Sequence, residues 1–222
     1  MAYNVGVLII STGAYFKFIP DLEESIKKYF LVNHNVFIHH FSDKQRGFYM
    51  KHEPFPYPTL MRYHQFNKQK DVLSRMDYLF YLDADMLIVG EVGDEILGDG
   101  LTAIEHPYSS SRNSKNTYEI NNQSTAYLED TSLINPYCCG GFQGGTSEAY
   151  LKMSEGIAKR VDIDNERGIV ARWHDETHYN KYLTEVRPSI ILSRDYCTPE
   201  KEQNENSKIL ALDKNHKEVR NG

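Results

Sequence analysis

The chain has 222 residues, enough for one globular domain. A domain of this length buries on the order of 70% of its extended surface and needs neither disulfides nor structural metal to fold. Its composition, 40% hydrophobic, 25% charged and 12% aromatic, excludes disorder and low-complexity scaffolds, and the net charge of −6 argues against a general nucleic-acid binder. No segment approaches the roughly 20 apolar residues of a transmembrane helix, and the opening residues lack a signal-peptide pattern, so a soluble, cytoplasmic protein is expected. Cys138, Cys139 and Cys197 show neither metal-ligand spacing nor an even disulfide set, and read as packed thiols.

In chain order, Val5 to Ile10 reads as a buried strand closed by Ser11-Thr12-Gly13. Leu22, Ile26, Tyr29 and Phe30 follow a helical period that starts near Pro20–Asp21 and ends before Asn33. Asn35 to Phe41 is a second strand. A Pro-rich stretch from Glu53 to Pro58 leads into one helix over Thr59 to Met76, with Leu60, Tyr63, Phe66, Val72 and Leu73 inward. Tyr78 to Leu82 is an unbroken apolar run, the mark of a strand covered on both faces. Alternating strands and helices over this span predict an α/β, doubly wound start. Leu101 to Glu105 reads as a strand, Ser109 to Asn122 as a polar surface loop, and Gly140, Gly141, Gly144 and Gly145 as one glycine-rich loop. Thr146 is placed to cap a helix reaching about Val161, with Glu148 in its first turn, and Asp162 to Gly168 reads as connection. A short helix over Asp175 to Thr184 and a last strand, Ser189 to Leu192, complete the pattern.

Three motifs could carry chemistry. Leu82-Asp83-Ala84-Asp85-Met86 puts two carboxylates at the end of the most apolar strand, where open α/β sheets bind ligands. Residues two apart in extended chain share a side, about 6.5–7 Å apart at Cα, so both can approach one divalent cation whose shell is completed by phosphates. The other reading is a solvated strand end. Trp173-His-Asp-Glu-Thr-His178 sets two histidines four apart, yet the residue after the first is Asp175 where a zinc protease needs glutamate. On a helix, Asp175 and Glu176 diverge by about 100° and can serve different partners; the plain alternative is a polar helix start over a packed tryptophan. Four glycines after Cys138-Cys139 allow close backbone approach to a ligand, without the pattern of a Walker A loop.

Together these motifs resemble glycosyltransferase family 6, the family of the histo-blood-group A and B transferases and the α-1,3-galactosyltransferase. The likeness rests on Tyr78-Leu-Phe-Tyr-Leu-Asp-Ala-Asp85, Cys139-Gly-Gly-Phe-Gln-Gly-Gly-Thr146, Trp173-His-Asp-Glu-Thr-His-Tyr-Asn-Lys-Tyr182 and Lys214-Asn-His-Lys-Glu-Val-Arg-Asn221, in that order. It implies the GT-A nucleotide-sugar transferase fold, a mixed, mostly parallel sheet flanked by helices. It also implies one catalytic domain over 1–222: a nucleotide-binding half to about residue 85, an acceptor and catalytic half over 86–208, and a tail over 209–222 that closes on the donor.

By the same resemblance, Asp83 and Asp85 would hold Mn²⁺, or Mg²⁺ or another divalent cation, on the UDP diphosphate. Ile10, Thr12 and Tyr15 match the uridine site, with Tyr15 stacking on uracil. Arg62 and Ala84 match donor contacts, and Lys214 and Arg220 match tail residues that close over the diphosphate. Glu176 matches the carboxylate assigned as nucleophile or as stabiliser of an oxocarbenium-like transition state, in a covalent or a front-face retaining path. Asp175 would hold donor-sugar hydroxyls. Cys139, Gly140 and Gly141 match the donor-selecting loop, where Gly141 leaves room for the acetamido group of GalNAc. His106, Thr117 and Trp173 match residues around the acceptor galactose, with Glu176 beside them. The implied reaction moves GalNAc or galactose from a UDP-sugar to the 3-hydroxyl of a β-galactoside, with or without an α-1,2-fucose, forming an α-1,3 linkage. A UDP-sugar hydrolase, or a non-catalytic sugar-binding protein on the same fold, would share parts of this pattern. Thr198-Pro199 replaces the Trp-Asp pair of the mammalian enzymes, and the start of the chain close to the first strand suggests a compact, soluble, microbial type.

Overall fold

The computed structural model describes residues 1–44, 46–108, 117–130, 136–215 and 219. Strand β1 (Asn4–Ile10) runs into a 3-10 turn and helix α1 (Ile19–Tyr29), which returns the chain to β2 (Asn35–Ser42). A two-residue strand, β3 (Phe48–Tyr49), and three short helices, α2 (Tyr57–Leu60), α3 (Arg62–Lys68) and α4 (Lys70–Leu73), lead to β4 (Tyr78–Asp83). Then come β5 (Met86–Ile88), β6 (Leu101–Ile104), β7 (Phe142–Thr146), α5 (Ser147–Glu166) and α6 (Asp175–Glu185). The chain closes with β8 (Ile190–Leu192), β9 (Thr198–Pro199) and β10 (Ile209–Ala211).

Among the described residues, seven strands form one sheet in the order β3-β2-β1-β4-β7-β6-β8, and β5-β10-β9 form a second, small one. Strand β1 pairs in parallel with both β2 and β4, while β7 runs antiparallel between β4 and β6. The sheet is therefore mixed and mostly parallel, as the GT-A expectation requires. The chain leaves β1 for β2 and returns to β1's other side at β4, with Ile10 opposite Asp83 in the register. That reversal opens a crevice at the carboxyl ends of β1 and β4.

Alternation along the central strands builds a core on each face. Val5, Val7, Ile9, Phe80 and Leu82 pack with Leu22 and Ile26 of α1. Leu8, Ile10, Leu79 and Tyr81 pack on the opposite face with Tyr63 and Phe66 of α3 and Tyr150 and Ile157 of α5. Each such side chain stabilises the fold by about 1.5–3 kcal/mol when fully buried. The three cysteines are free and buried, with Cys139 Sγ 3.2 Å from Cys197 Sγ.

Several sequence expectations are corrected. The helix expected over Thr59 to Met76 is broken at Met61 and Gln69, where φ and ψ leave the helical range. At the first break the Arg62 Nε takes the Thr59 carbonyl at 3.2 Å, turning its guanidinium inward, and Val72 is only half-buried. Gly144 and Gly145 belong to β7 rather than to a loop. A Cβ at Gly144 would stand 2.1 Å from the Phe80 ring, so a bare backbone is what lets β7 lie against β4. Helix α5 runs past Val161 through the expected connection, because Asp164 is buried and accepts from Ser124 Oγ at 2.5 Å and Thr125 N–H at 2.7 Å. Of the expected surface loop, Thr117, Tyr118 and Glu119 are buried instead, with the Tyr118 ring 5.3 Å from that of Tyr137. Strand β8 is not the last, since β9 and β10 follow, and β10 pairs with both β9 and β5.

Candidate active site

Two cavities open at the carboxyl edge of the sheet and share the wall formed by Phe55, Thr59 and Asp83. The first is lined on one side by Ile10, Thr12 and Tyr15, from the end of β1 and the 3-10 turn after it. Ala84, Asp85, Lys214 and Val219 form its other side. The second holds Arg62, Gly140 and Gly141 opposite Arg172, Trp173, His174, Asp175 and Glu176.

Helix α6 presents the two acids in its first turn. Its N-cap, His174, takes a positive φ of 54°, the sparsely populated conformation often found beside functional sites, and its ring meets Phe55 edge-on at 5.0 Å. Asn180, one turn on, accepts from the Cys138 N–H and donates to the Cys138 carbonyl, both at 2.8 Å, and also donates to the Glu176 carbonyl at 2.9 Å. Those bonds dock the start of α6 on the chain just before the glycines. Gly140 N–H then donates to Glu176 Oε2 at 2.9 Å.

Arg62 is only 2% exposed and lies over the Tyr81 ring, 4.3 Å from its centroid. Its guanidinium stands 3.2 Å from Asp175 and 3.4 Å from Asp83, and donates to the Gly140 carbonyl at 3.0 Å. Arg62 thus ties three parts of the site together from beneath the cavity. Tyr81 OH donates to Asp83 at 2.6 Å. Burial pushes the Asp175 carboxyl up to about 7, against the pull of Arg62, and the charges on Asp83 and Glu176 add to the rise. Its Oδ2 is buried and has no hydrogen-bond partner among the described residues, because the Arg62 contact lacks hydrogen-bond alignment.

Burial and the neighbouring Asp83 also push Asp85 upward, opposed by Lys214, whose ammonium is paired with Asp85 and lies 5.2 Å from the Tyr15 ring centroid. Among the described residues, no group of three or more His, Cys, Asp or Glu side chains forms an all-protein metal cage. Two hard oxygen donors that already attract an ammonium fit instead a divalent cation sharing its shell with phosphate oxygens.

The structure brings together most of the residues that the sequence singles out. Cys139 is buried behind the loop and lines neither cavity, and His106 and Thr117 also lie outside both. His106 and Tyr118, the neighbour of Thr117, meet at the buried ring of Tyr137. Arg220 lies outside the described residues. His52, Glu53, Phe55 and Thr59, which no sequence motif marks, also wall the first cavity; His52 Nδ1 is 3.0 Å from Thr12 Oγ1. The available signal was topological, since this Pro-rich segment follows β2 and β3 at the same edge of the sheet as Ile10 and Asp83.

A family model described as glycosyltransferase family 6 matches residues 59–221. The human globoside alpha-1,3-N-acetylgalactosaminyltransferase 1 is 27% identical over 210 residues, covering 87% of this chain and 60% of that protein. The rat histo-blood group ABO system transferase 1 is 26% identical, covering 98% of this chain and 69% of that protein. The Escherichia coli O-antigen biosynthesis glycosyltransferase WbnI is 26% identical, covering 95% of this chain and 94% of that protein. The chain thus spans about three-fifths to two-thirds of the animal relatives' length and nearly all of the bacterial one's. No helix among the described residues is long and apolar enough to cross a membrane.

Proposed function

This chain belongs to glycosyltransferase family 6, and from that premise we propose that it is a retaining hexosyltransferase using a UDP-sugar donor. In this reading it transfers GalNAc, in preference to galactose, to the 3-hydroxyl of a β-galactoside. The observation that carries the proposal is the shared wall: a cavity with the carboxylate pair and a cavity with Glu176 meet at Asp83.

UDP takes the first cavity, with uracil against Tyr15 and the diphosphate toward Asp85 and Lys214. The donor sugar crosses into the second cavity, whose wall includes Asp175 as the partner for its hydroxyls. Asp83 and Asp85 would hold the divalent cation, which when bound would supply charge neutralisation to the departing diphosphate. As the anomeric C–O bond breaks, its electron pair leaves with UDP, and Lys214 places positive charge beside the leaving group. Glu176 faces the anomeric carbon and stabilises the positive charge there, either through a covalent bond that the acceptor then displaces or by holding a short-lived ion pair. The acceptor's O3 forms the new bond and its proton leaves on a phosphate or carboxylate oxygen. Trp173, 42% exposed at the lip, offers a face for the acceptor galactose.

The donor preference rests on Gly141, because Cys139 is set back from the cavity. A Cβ on Gly141 would meet the Met86 methyl at 2.7 Å and Asp83 Oδ2 at 3.0 Å, so that direction is already filled and the preference rests on the bare Gly141 backbone at the wall of the second cavity. NMR of the product formed with Mn²⁺, UDP-GalNAc and 2′-fucosyllactose tests the reading. The expected product is α-linked GalNAc at O3 of galactose, with a higher kcat/KM for UDP-GalNAc than for UDP-Gal. UDP release at an equal rate with water alone would mark a hydrolase instead, and a higher kcat/KM for UDP-Gal would overturn the donor preference.

A further inference from the structure

The second cavity owes part of its shape to a polar group that lines no part of it. The backbone is pinned on either side of Gly140: Cys139 N–H donates to the Ile104 carbonyl at 2.9 Å, and the Gly141 carbonyl accepts from Asp83 N–H at 2.8 Å. Gly140 itself has no Cβ to limit its φ and ψ. What restrains it is a clamp on its carbonyl, which accepts from Arg62 Nη1 and from Gln143 Nε2, each at 3.0 Å.

Gln143 is fully buried on β7, and its Oε1 accepts from the Tyr63 hydroxyl at 2.9 Å. Only one orientation of the amide gives the Gly140 carbonyl a donor and the Tyr63 hydroxyl an acceptor, so the network fixes which way Gln143 points. A polar side chain at this depth is costly unless each end is satisfied. Here both ends are, and one of them holds the residue whose N–H reaches Glu176.

We propose that Gln143 is a positioning residue for Glu176. By locking the Gly140 carbonyl it holds the peptide plane that follows Gly140, and with the Cys139 N–H pinned before it this limits the φ and ψ that place the Gly140 N–H, and through that bond the aim of the carboxylate. Arg62 shares the clamp but also contacts Asp83 and Asp175, so the effect is isolated at Gln143. The inference rests on the reading of Glu176 as the group that faces the anomeric carbon.

The test is a double-mutant cycle between Gln143→Met, which keeps side-chain length and removes both polar atoms, and Glu176→Gln. Gln143→Met is expected to lower kcat about 30- to 100-fold, the scale of an ångström-sized misplacement. Donor KM and UDP affinity by calorimetry should change less than about twofold, since uniform binding is untouched. In the Glu176→Gln background the same substitution should cost less than about twofold further, because the carboxylate it aims is gone. Equal losses in both backgrounds, or a fall in UDP affinity that matches the fall in kcat, would overturn the proposal as mere structural damage. If Gln143→Met does not fold, Tyr63→Phe, which only frees the amide to turn, should show the same pattern at smaller size, and unchanged kcat there would also overturn it. Near-normal turnover by Glu176→Gln alone would instead remove the reading of Glu176 and this inference with it. An inactive Glu176→Gln beside a fully active Gln143→Met removes only the inference.

Discussion

At Asp175 two effects oppose each other. Burial removes the carboxyl from water and lifts it from 3.8 to about 7, while Arg62, 3.2 Å away, favours the ionised form. The net rise has a consequence for stability. Between about pH 4 and pH 7 the native state keeps a proton that the unfolded chain has released, so this group's contribution is present at the acid end and is lost as pH rises through 7. Asp85, also raised, acts in the same sense. Tm should therefore fall across that window as pH increases, and Asp175→Asn should flatten the slope; an unchanged slope in calorimetric scans of the variant would refute the assignment. For the sugar, a carboxyl poised near neutrality can accept from or donate to a hydroxyl, which suits a group that orients rather than attacks.

Helix α5 shows how one element serves both the fold and the site. Thr146 caps it by accepting from the Ala149 N–H at 3.3 Å, and Glu148 lies in the first turn, where the helix dipole favours negative charge. Thr146→Ala should cost about 1 kcal/mol, since removing such a cap exposes an unpaired N–H. That corresponds to a Tm lower by roughly 2–4 °C in a chain of this size, with turnover at low temperature unchanged. At its other end Asp164 holds Ser124 and Thr125, which fastens the segment carrying Glu119 near Arg172. The cap was legible because its determinants are neighbours in sequence. The helix's extra turn was not, because Asp164 finds its partners about 40 residues away.

At the scale of the molecule, four acids from two stretches of the chain converge where the two cavities meet: Asp83 and Asp85 at and just beyond the end of β4, Asp175 and Glu176 at the start of α6. The strand β10 carries the chain back so that Lys214 reaches Asp85. A divalent cation at this pair has to displace that ammonium. Activity should accordingly vanish in EDTA and return with Mn²⁺, and the double variant Asp83→Asn, Asp85→Asn should lose that response; unchanged activity of the double variant in EDTA would contradict the metal reading. The opening strand–helix–strand order, the apolar β4 with its two aspartates, the cap of α5 and the acid pair opening α6 can all be read from the chain alone. Each of these is written in residues that are near neighbours, through period, capping or strand alternation. Folding in three dimensions makes the second glycine pair a strand, sets the Arg62 guanidinium between Asp83 and Asp175, keeps Cys139, His106 and Thr117 back from the two cavities, and brings a Pro-rich segment to wall one of them. Those outcomes depend on which distant side chains share one buried space, and a local pattern carries no record of that.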